Sequence, residues 1–211
     1  MRGYYDYHPA FFLTRPVALY GAPGTDAATV GYGLSALTGL PFIDVDRRVE
    51  HELGCHLSQA MRREGGHQIL SAYKTVVRRA LGEMPHGIWA MSNLILDYQP
   101  IQRLLVKHTD AVIIEKSIFL LYDELKQDPE AYPPRHPELS RYEKGSTRNY
   151  KNFIDNIEQS YPESIMRIDG NNRSANDCAR EIFQWLERKG VSDLNEQLPP
   201  PASNIRRWLK L

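Results

Sequence analysis

The sequence has little of what marks secreted, membrane-bound or nucleic-acid-binding proteins. It has two cysteines, Cys55 and Cys178, which lie far apart and in no metal-binding spacing; this excludes a disulfide framework and favours two free thiols. The 26 basic and 26 acidic residues cancel, so no overall field attracts nucleic acid or an anionic membrane. No apolar run approaches the length of a membrane span, and residues 1–14 lack the pattern of a signal peptide. We therefore expect a cytoplasmic protein without a nucleic-acid or membrane partner.

The chain does contain a regular alternation of short β-type runs and helical patterns. The first unit is the strand Val17–Tyr20, a turn that begins at Gly21, and a helix over Ala27–Leu37. Because strands that alternate with helices imply a parallel sheet covered on both faces, the predicted fold class is α/β, with three α/β/α layers around a five-stranded parallel sheet. The other predicted strands are Phe42–Asp44, Ile88–Met91, Ala111–Ile114 and Ser164–Ile168, and the other helices are Asp46–Leu53, His67–Gly82, Pro100–Lys107, Ile118–Lys126 and Ala175–Lys189, the last capped by Ser174 and Asp177.

Three segments fall outside this alternation. Residues 1–15 form an aromatic N-terminal arm and residues 191–211 a C-terminal tail, so the domain is predicted to span residues 16–190. Inside the domain, residues 127–147 are rich in Pro, His, Glu and Arg and lack an apolar period. Because this segment is long for a connection in a compact domain, we predict a lid-like insert that is the most mobile internal region.

The turn after the first strand contains part of a phosphate-binding motif. Residues 21–31 read GAPGTDAATVG, and residues 40–46, at the end of the second predicted strand, read LPFIDVD. This pair of motifs resembles the shikimate kinase family, which has Gly-x-x-Gly-x-Gly-Lys-Ser/Thr-Thr-Val-Gly and Leu-Pro-Phe-x-Asp-x-Asp at the same two places. The resemblance implies a P-loop-type fold, with Gly21, Gly24, Thr25, Asp26 and Thr29 in the phosphate loop.

The departures from the family pattern fall on the catalytic positions of this loop. Asp26-Ala27-Ala28 replaces Gly-Lys-Ser/Thr, which removes the cation that neutralises phosphate and the hydroxyl that holds magnesium. A carboxylate at position 26 also repels phosphate. We therefore expect no cofactor, with ATP and magnesium required only if the chain is an active kinase. We expect Asp26 to cap the following helix through its side chain.

The resemblance also locates a substrate cleft, which is altered as well. The family arginine that grips the shikimate carboxylate falls on Leu70, and the family Gly-Gly-Gly at the third strand falls on Met91-Ser92-Asn93. Arg135 and Arg148 are candidate counterparts of the lid and substrate arginines. Asp44 and Asp46 match the family residues that serve magnesium and a substrate hydroxyl. From the residues alone, Asp46 is equally placed to cap the predicted helix at Arg47.

Three hypotheses follow. The first is a shikimate-kinase-like protein that has lost ATP binding and phosphoryl transfer and acts as a regulatory or scaffold module that binds a small anionic or shikimate-like ligand or a protein. The second is an enzyme of another reaction class on a cyclic carboxylic acid, with Asp44, Asp46, Glu115 and Lys116 as candidate catalytic groups. The third, ranked last, is a divergent kinase in which Lys116 or a lid arginine supplies the missing charge. No metal site is predicted apart from the magnesium of the kinase hypothesis, because His51 and His56 lack further ligands.

Overall fold

The fold is described from a computed structural model, which defines residues 13–22, 25–57, 59–60, 66–92, 95, 99–127, 155 and 166–197. Most of the predicted arm, of the lid-like insert and of the tail lies outside these residues. The strands are β1 (Val17–Gly21), β2 (Phe42–Asp44), β3 (Ile88–Ser92), β4 (Asp110–Glu115) and β5 (Met166–Asp169), and the helices are α1 (Ala27–Thr38), α2 (Val45–Leu53), α3 (Gly66–Glu83), α4 (Gln99–His108), α5 (Ile118–Gln127) and α6 (Ala175–Gln197).

The five strands form one parallel sheet in the order β2-β3-β1-β4-β5. Strand β1 is central and all five of its residues are buried, which is why it is an unbroken apolar run in the sequence. Side chains alternate across it: Ala18 and Tyr20 lie in the core under α2, α3 and α4, and Val17 and Leu19 lie in the core under α1 and α6. The predicted three-layer α/β/α fold is confirmed.

Helix α6 is longer than predicted. The predicted capping box is present, with the Asp177 amide donating to Ser174 Oγ at 3.2 Å and the Ser174 amide donating to the Asp177 carboxylate at 3.4 Å. The predicted end at Lys189 is wrong, because the helix continues through Gly190 to Gln197. One glycine costs a helix only about 1 kcal/mol and does not end it.

No helix in the described part of the chain is both long and apolar enough to cross a membrane.

Candidate functional site

The parallel sheet brings the predicted loop and cleft residues to one edge. Gly21, the last residue of β1, pairs with Ser92 at the end of β3 and with Ile114 near the end of β4. Asp44 ends β2 and pairs with Ala90 of β3. In open α/β sheets, ligands bind at this carboxyl edge, at the point where the connections from two neighbouring strands pass to opposite faces of the sheet. The sheet order therefore places the candidate site where β1 lies between β3 and β4.

A tight turn leads from β1 into α1. The Thr25 amide donates to the Ala22 carbonyl at 3.0 Å, and the buried Thr25 hydroxyl donates to the same carbonyl at 2.8 Å. A Cβ atom on Gly21 would lie 1.8 Å from Thr25 Oγ1. Position 21 therefore requires glycine, because the Thr25 side chain occupies the space that any other residue would need.

Asp26 immediately precedes α1 but does not cap it with its side chain. Its backbone is left-handed, with φ 55° and ψ 35°, and the exposed carboxylate makes no cap hydrogen bond. The prediction of a side-chain cap is wrong for this reason. Ala27 and Ala28 follow as the first half-buried residues of the helix, and Thr29 is exposed on it. The helix thus begins with an exposed carboxylate and two methyl side chains.

The left-handed backbone at Asp26 leads to a stability prediction. Alanine in this region is strained by roughly 1–2 kcal/mol, and Asp, which tolerates the conformation better, by less. We expect Asp26→Gly to raise the free energy of unfolding by about 0.5 kcal/mol, and Asp26→Ala to lower it by about 1 kcal/mol. Urea denaturation at matched protein concentration measures both. A side-chain cap would instead make Asp26→Gly less stable than the wild type, so the sign of that change decides between the two accounts.

Asp44, rather than Asp46, caps helix α2. The Arg47 amide donates to Asp44 Oδ1 at 3.0 Å, and the Arg47 guanidinium Nε lies 3.7 Å from Asp44 Oδ2. The prediction that Asp46 caps a helix starting at Arg47 is wrong, because α2 begins earlier, at Val45, and Asp46 lies within its first turn. Asp44 is thus engaged in a structural role at the site.

Asp46 is buried against helix α3. It is 8% exposed, and the Tyr73 hydroxyl donates to Asp46 Oδ1 at 2.8 Å. Burial, reinforced by the Asp46 carboxylate, raises the pKa of Tyr73 well above its ordinary value. Tyr73 therefore lies against Asp46, the residue that the resemblance assigns to binding a substrate hydroxyl. Sequence reasoning missed Tyr73, whose spacing from Ile69 and Val76 marks it as a core residue but does not indicate its polar partner.

The other side of the site is formed by the loops after β4 and β5. Glu115 forms an ion pair with Arg167, and the Ser117 amide donates to Asn171 Oδ1 at 2.6 Å. Lys116 is half-buried, and its Cγ atom lies 3.6 Å from where a Cβ on Gly170 would sit. The stem of Lys116 therefore packs toward β5, the neighbour of β4 on the side away from β1.

Several predicted site residues cannot be placed. Gly24, Asn93, Arg135 and Arg148 lie outside the described residues, and for Ser92 the structure defines the backbone. Leu70, which the sequence resemblance aligns with the carboxylate-binding arginine of the family, is half-buried and packs against the core beneath α3. Among the described residues, no group of three or more His, Cys, Asp or Glu side chains is arranged to hold a metal ion.

Sequence comparisons extend across most of the chain. The shikimate kinase family model matches residues 23–187. A shikimate kinase of Deinococcus radiodurans is 20% identical over 181 residues, covering 84% of this chain and 88% of that protein. A shikimate kinase of Persephonella marina is 23% identical over 170 residues, covering 80% of this chain and 97% of that protein.

Structural comparisons agree with this assignment at the level of the fold. The structure of Acinetobacter baumannii shikimate kinase in complex with shikimate superposes with a TM-score of 0.67 at 20% identity, covering 90% of this chain and 98% of that one. A gluconokinase from Sinorhizobium meliloti, 14% identical, superposes with a TM-score of 0.57 over 87% of this chain and 98% of its own. Both share the α/β fold. Because the shikimate kinase family model matches most of this chain, the chain belongs to the shikimate kinase family.

Proposed function

We propose that this chain is a shikimate kinase family member that neither binds MgATP nor transfers phosphoryl groups, and that acts by binding a small ligand or a protein. The observation that carries the proposal is the sequence Asp26-Ala27-Ala28 at the start of α1. A phosphate loop needs a lysine against the β- and γ-phosphates and a hydroxyl on magnesium. Residues 26–28 provide neither group and add a negative charge.

The electrostatics of the loop favour exclusion of phosphate. Two like unit charges about 4 Å apart repel by roughly 1 kcal/mol in water and by roughly 4 kcal/mol near a protein surface. The Asp26 carboxylate is exposed and has no side-chain cap bond to the first amides of α1, so no hydrogen bond from these amides offsets its repulsion of an approaching anion. The residues of the loop therefore do not fit the triphosphate and magnesium that the family implies.

The substrate side supports the same proposal. The Acinetobacter baumannii enzyme binds shikimate, a cyclic carboxylic acid. In this chain Asp46 is hydrogen-bonded to Tyr73 within the protein, and Leu70 places an alkyl group where the family has an arginine. A shikimate-like ligand would thus compete with Tyr73 for the Asp46 carboxylate and would lose one carboxylate partner. A cleft that still binds a small molecule would use other contacts, for example Arg135 of the predicted lid-like insert and Arg148 just after it.

The alternatives are less well supported by the geometry. A different reaction class would use Asp44 and Asp46 as acid or base, but one is a helix cap and the other is buried under Tyr73. A divergent kinase would need Lys116 to replace the loop lysine, but the Lys116 stem packs toward β5 rather than β1. For neither alternative do the described residues place the required catalytic group at the phosphate loop.

Calorimetric titration of the purified chain with MgATP, and separately with shikimate, tests the proposal. We expect no heat of binding for MgATP at millimolar concentration, because the loop lacks a phosphate-neutralising cation. A matched titration with MgADP, which lacks the γ-phosphate, tests whether the γ-phosphate alone prevents nucleotide binding. Micromolar affinity for MgATP, or turnover of ATP that depends on shikimate, would overturn the proposal and favour a divergent kinase.

A further inference from the structure

A groove lies between helices α2 and α3, beside edge strand β2. It encloses about 160 Å³, and its floor consists of the buried apolar side chains Ile43, Val76 and Ala80. A cavity of about this size is large enough for a compact hydrocarbon group of roughly benzene size. The floor can therefore accept an apolar body of a few carbon atoms.

Charged side chains surround this floor, and some of them are already paired. Arg79 Nη1 lies 3.3 Å from Glu52 Oε2, which neutralises both groups across the groove. Arg48 of α2 and Glu83 of α3 also line the groove, and within the described part of the chain neither has a hydrogen-bond or ion-pair partner for its side chain. Among the described residues, the groove thus offers one unpaired cation, Arg48, and one unpaired anion, Glu83.

The two unpaired charges lie at different levels along the helices. Asp46 contacts Tyr73 and Glu52 contacts Arg79, and both pairs are 27 positions apart, so α2 and α3 run side by side in the same direction. By this offset, Glu83 lies about eight residues beyond the level of Arg48, or about 12 Å along the helix axis. Both side chains line the groove, so the apolar floor lies between their charged ends.

We propose that this groove binds a small zwitterion whose carboxylate and ammonium groups are separated by an apolar chain of several carbons, such as an ω-amino acid. The carboxylate pairs with Arg48 and the ammonium with Glu83, while the methylene chain covers Ile43, Val76 and Ala80. A short α-amino acid such as glycine cannot reach both charges. A ligand with one charge leaves the other groove charge without a partner.

This site is separate from the cleft at the carboxyl edge of the sheet. Neither Asp46 nor Tyr73 lines the groove, whose α2 side chains extend from Arg48 to Glu52, six residues or about 9 Å beyond Asp46. The groove contains no residue of the phosphate loop, so ligand binding there is independent of the proposed loss of ATP binding.

The test uses three ligands of matched length: 6-aminohexanoate, hexanoate and hexylamine, with glycine as the short zwitterion. Binding to the full chain is followed by amide chemical shifts of α2 and α3 in NMR titrations. We expect 6-aminohexanoate to bind at least about ten-fold more tightly than either singly charged ligand, and glycine not to bind, because the first satisfies both groove charges.

Two variants separate the ends of the site. Arg48→Gln should weaken 6-aminohexanoate and hexanoate about ten-fold and leave hexylamine unchanged, and Glu83→Gln should weaken 6-aminohexanoate and hexylamine but not hexanoate. Arg78→Gln, an exposed neighbour that does not line the groove, is the matched control and should change nothing. Equal affinities for the three ligands, an absence of binding, or variants that do not divide the ligands in this way would overturn the proposal.

Discussion

Replacing Asp26, Ala27 and Ala28 together by Gly, Lys and Ser is expected to give the chain measurable MgATP binding. The triple variant removes the repelling carboxylate and adds one cation and one hydroxyl at the start of α1. With pairwise terms of several kcal/mol near a protein surface, we expect a gain of at least about 100-fold in affinity. Calorimetry with MgATP against the wild type measures the gain.

The matched control keeps the shape of the loop and omits the cation. It is the triple variant Asp26→Gly, Ala27→Gln and Ala28→Ser, which restores backbone freedom and the hydroxyl without a positive charge. We expect its MgATP affinity to stay at least about ten-fold below that of the lysine variant. If the two variants bind alike, or if neither binds, residues 26–28 are not what excludes ATP and the proposed function loses its main support.

The fold was predictable because its signals are local. Strands β1, β3 and β4 are apolar runs bounded by Gly, Pro or charged residues, and their parallel pairing requires burial on both faces. The end of α6 was missed because Gly190 resembles a helix stop in the sequence, while the packing of the helix on β5 and α1 outweighs one glycine.

The details of the site were less predictable because they depend on tertiary contacts. Asp44 and Asp46 are two residues apart and chemically identical, so the sequence offers no means of choosing which of them caps α2. Tyr73, 27 positions beyond Asp46, decides between them, because its hydroxyl donates to Asp46 and leaves Asp44 to cap the helix. Likewise, the left-handed backbone of Asp26 follows from the tight turn at Thr25, which no helix-capping pattern in the sequence indicates.

The two buried tyrosines of the core beneath α2 and α3 differ in one respect. Tyr73 donates its hydroxyl to Asp46, whereas the fully buried Tyr20 hydroxyl has no hydrogen-bond partner among the described residues. The Thr109 hydroxyl lies near enough to Tyr20 to oppose part of the rise in the Tyr20 pKa, but it donates its proton to the Leu105 carbonyl at 2.8 Å. Removing the Tyr73 hydroxyl therefore breaks a hydrogen bond to a carboxylate. Removing the Tyr20 hydroxyl instead takes an unpaired polar atom out of the core.

Tyr73→Phe and Tyr20→Phe are accordingly expected to change stability in opposite directions. Loss of a hydrogen bond to a buried carboxylate should lower the free energy of unfolding by about 2 kcal/mol in Tyr73→Phe. Tyr20→Phe should leave it unchanged or raise it by up to about 1 kcal/mol, because an unpaired polar atom leaves the core. Urea denaturation at pH 7 measures both, and a Tyr20→Phe loss as large as that of Tyr73→Phe would contradict the difference in bonding.

The same tyrosines predict a loss of stability in alkali. Burial raises the pKa of both Tyr20 and Tyr73 above the ordinary value of 10.0, so above pH 10 the unfolded chain releases their protons while the folded chain retains them. The folded state then binds more protons than the unfolded state, and stability, complete below pH 10, falls as pH rises toward the folded pKa values. Each tyrosine contributes a slope of about 1.4 kcal/mol per pH unit there. Denaturation between pH 9.5 and about pH 11.5 should show the slope reduced by about that amount in Tyr20→Phe, where the fold is otherwise undisturbed. A slope equal to that of the wild type would mean that Tyr20 ionises in the folded protein and is not sealed from water.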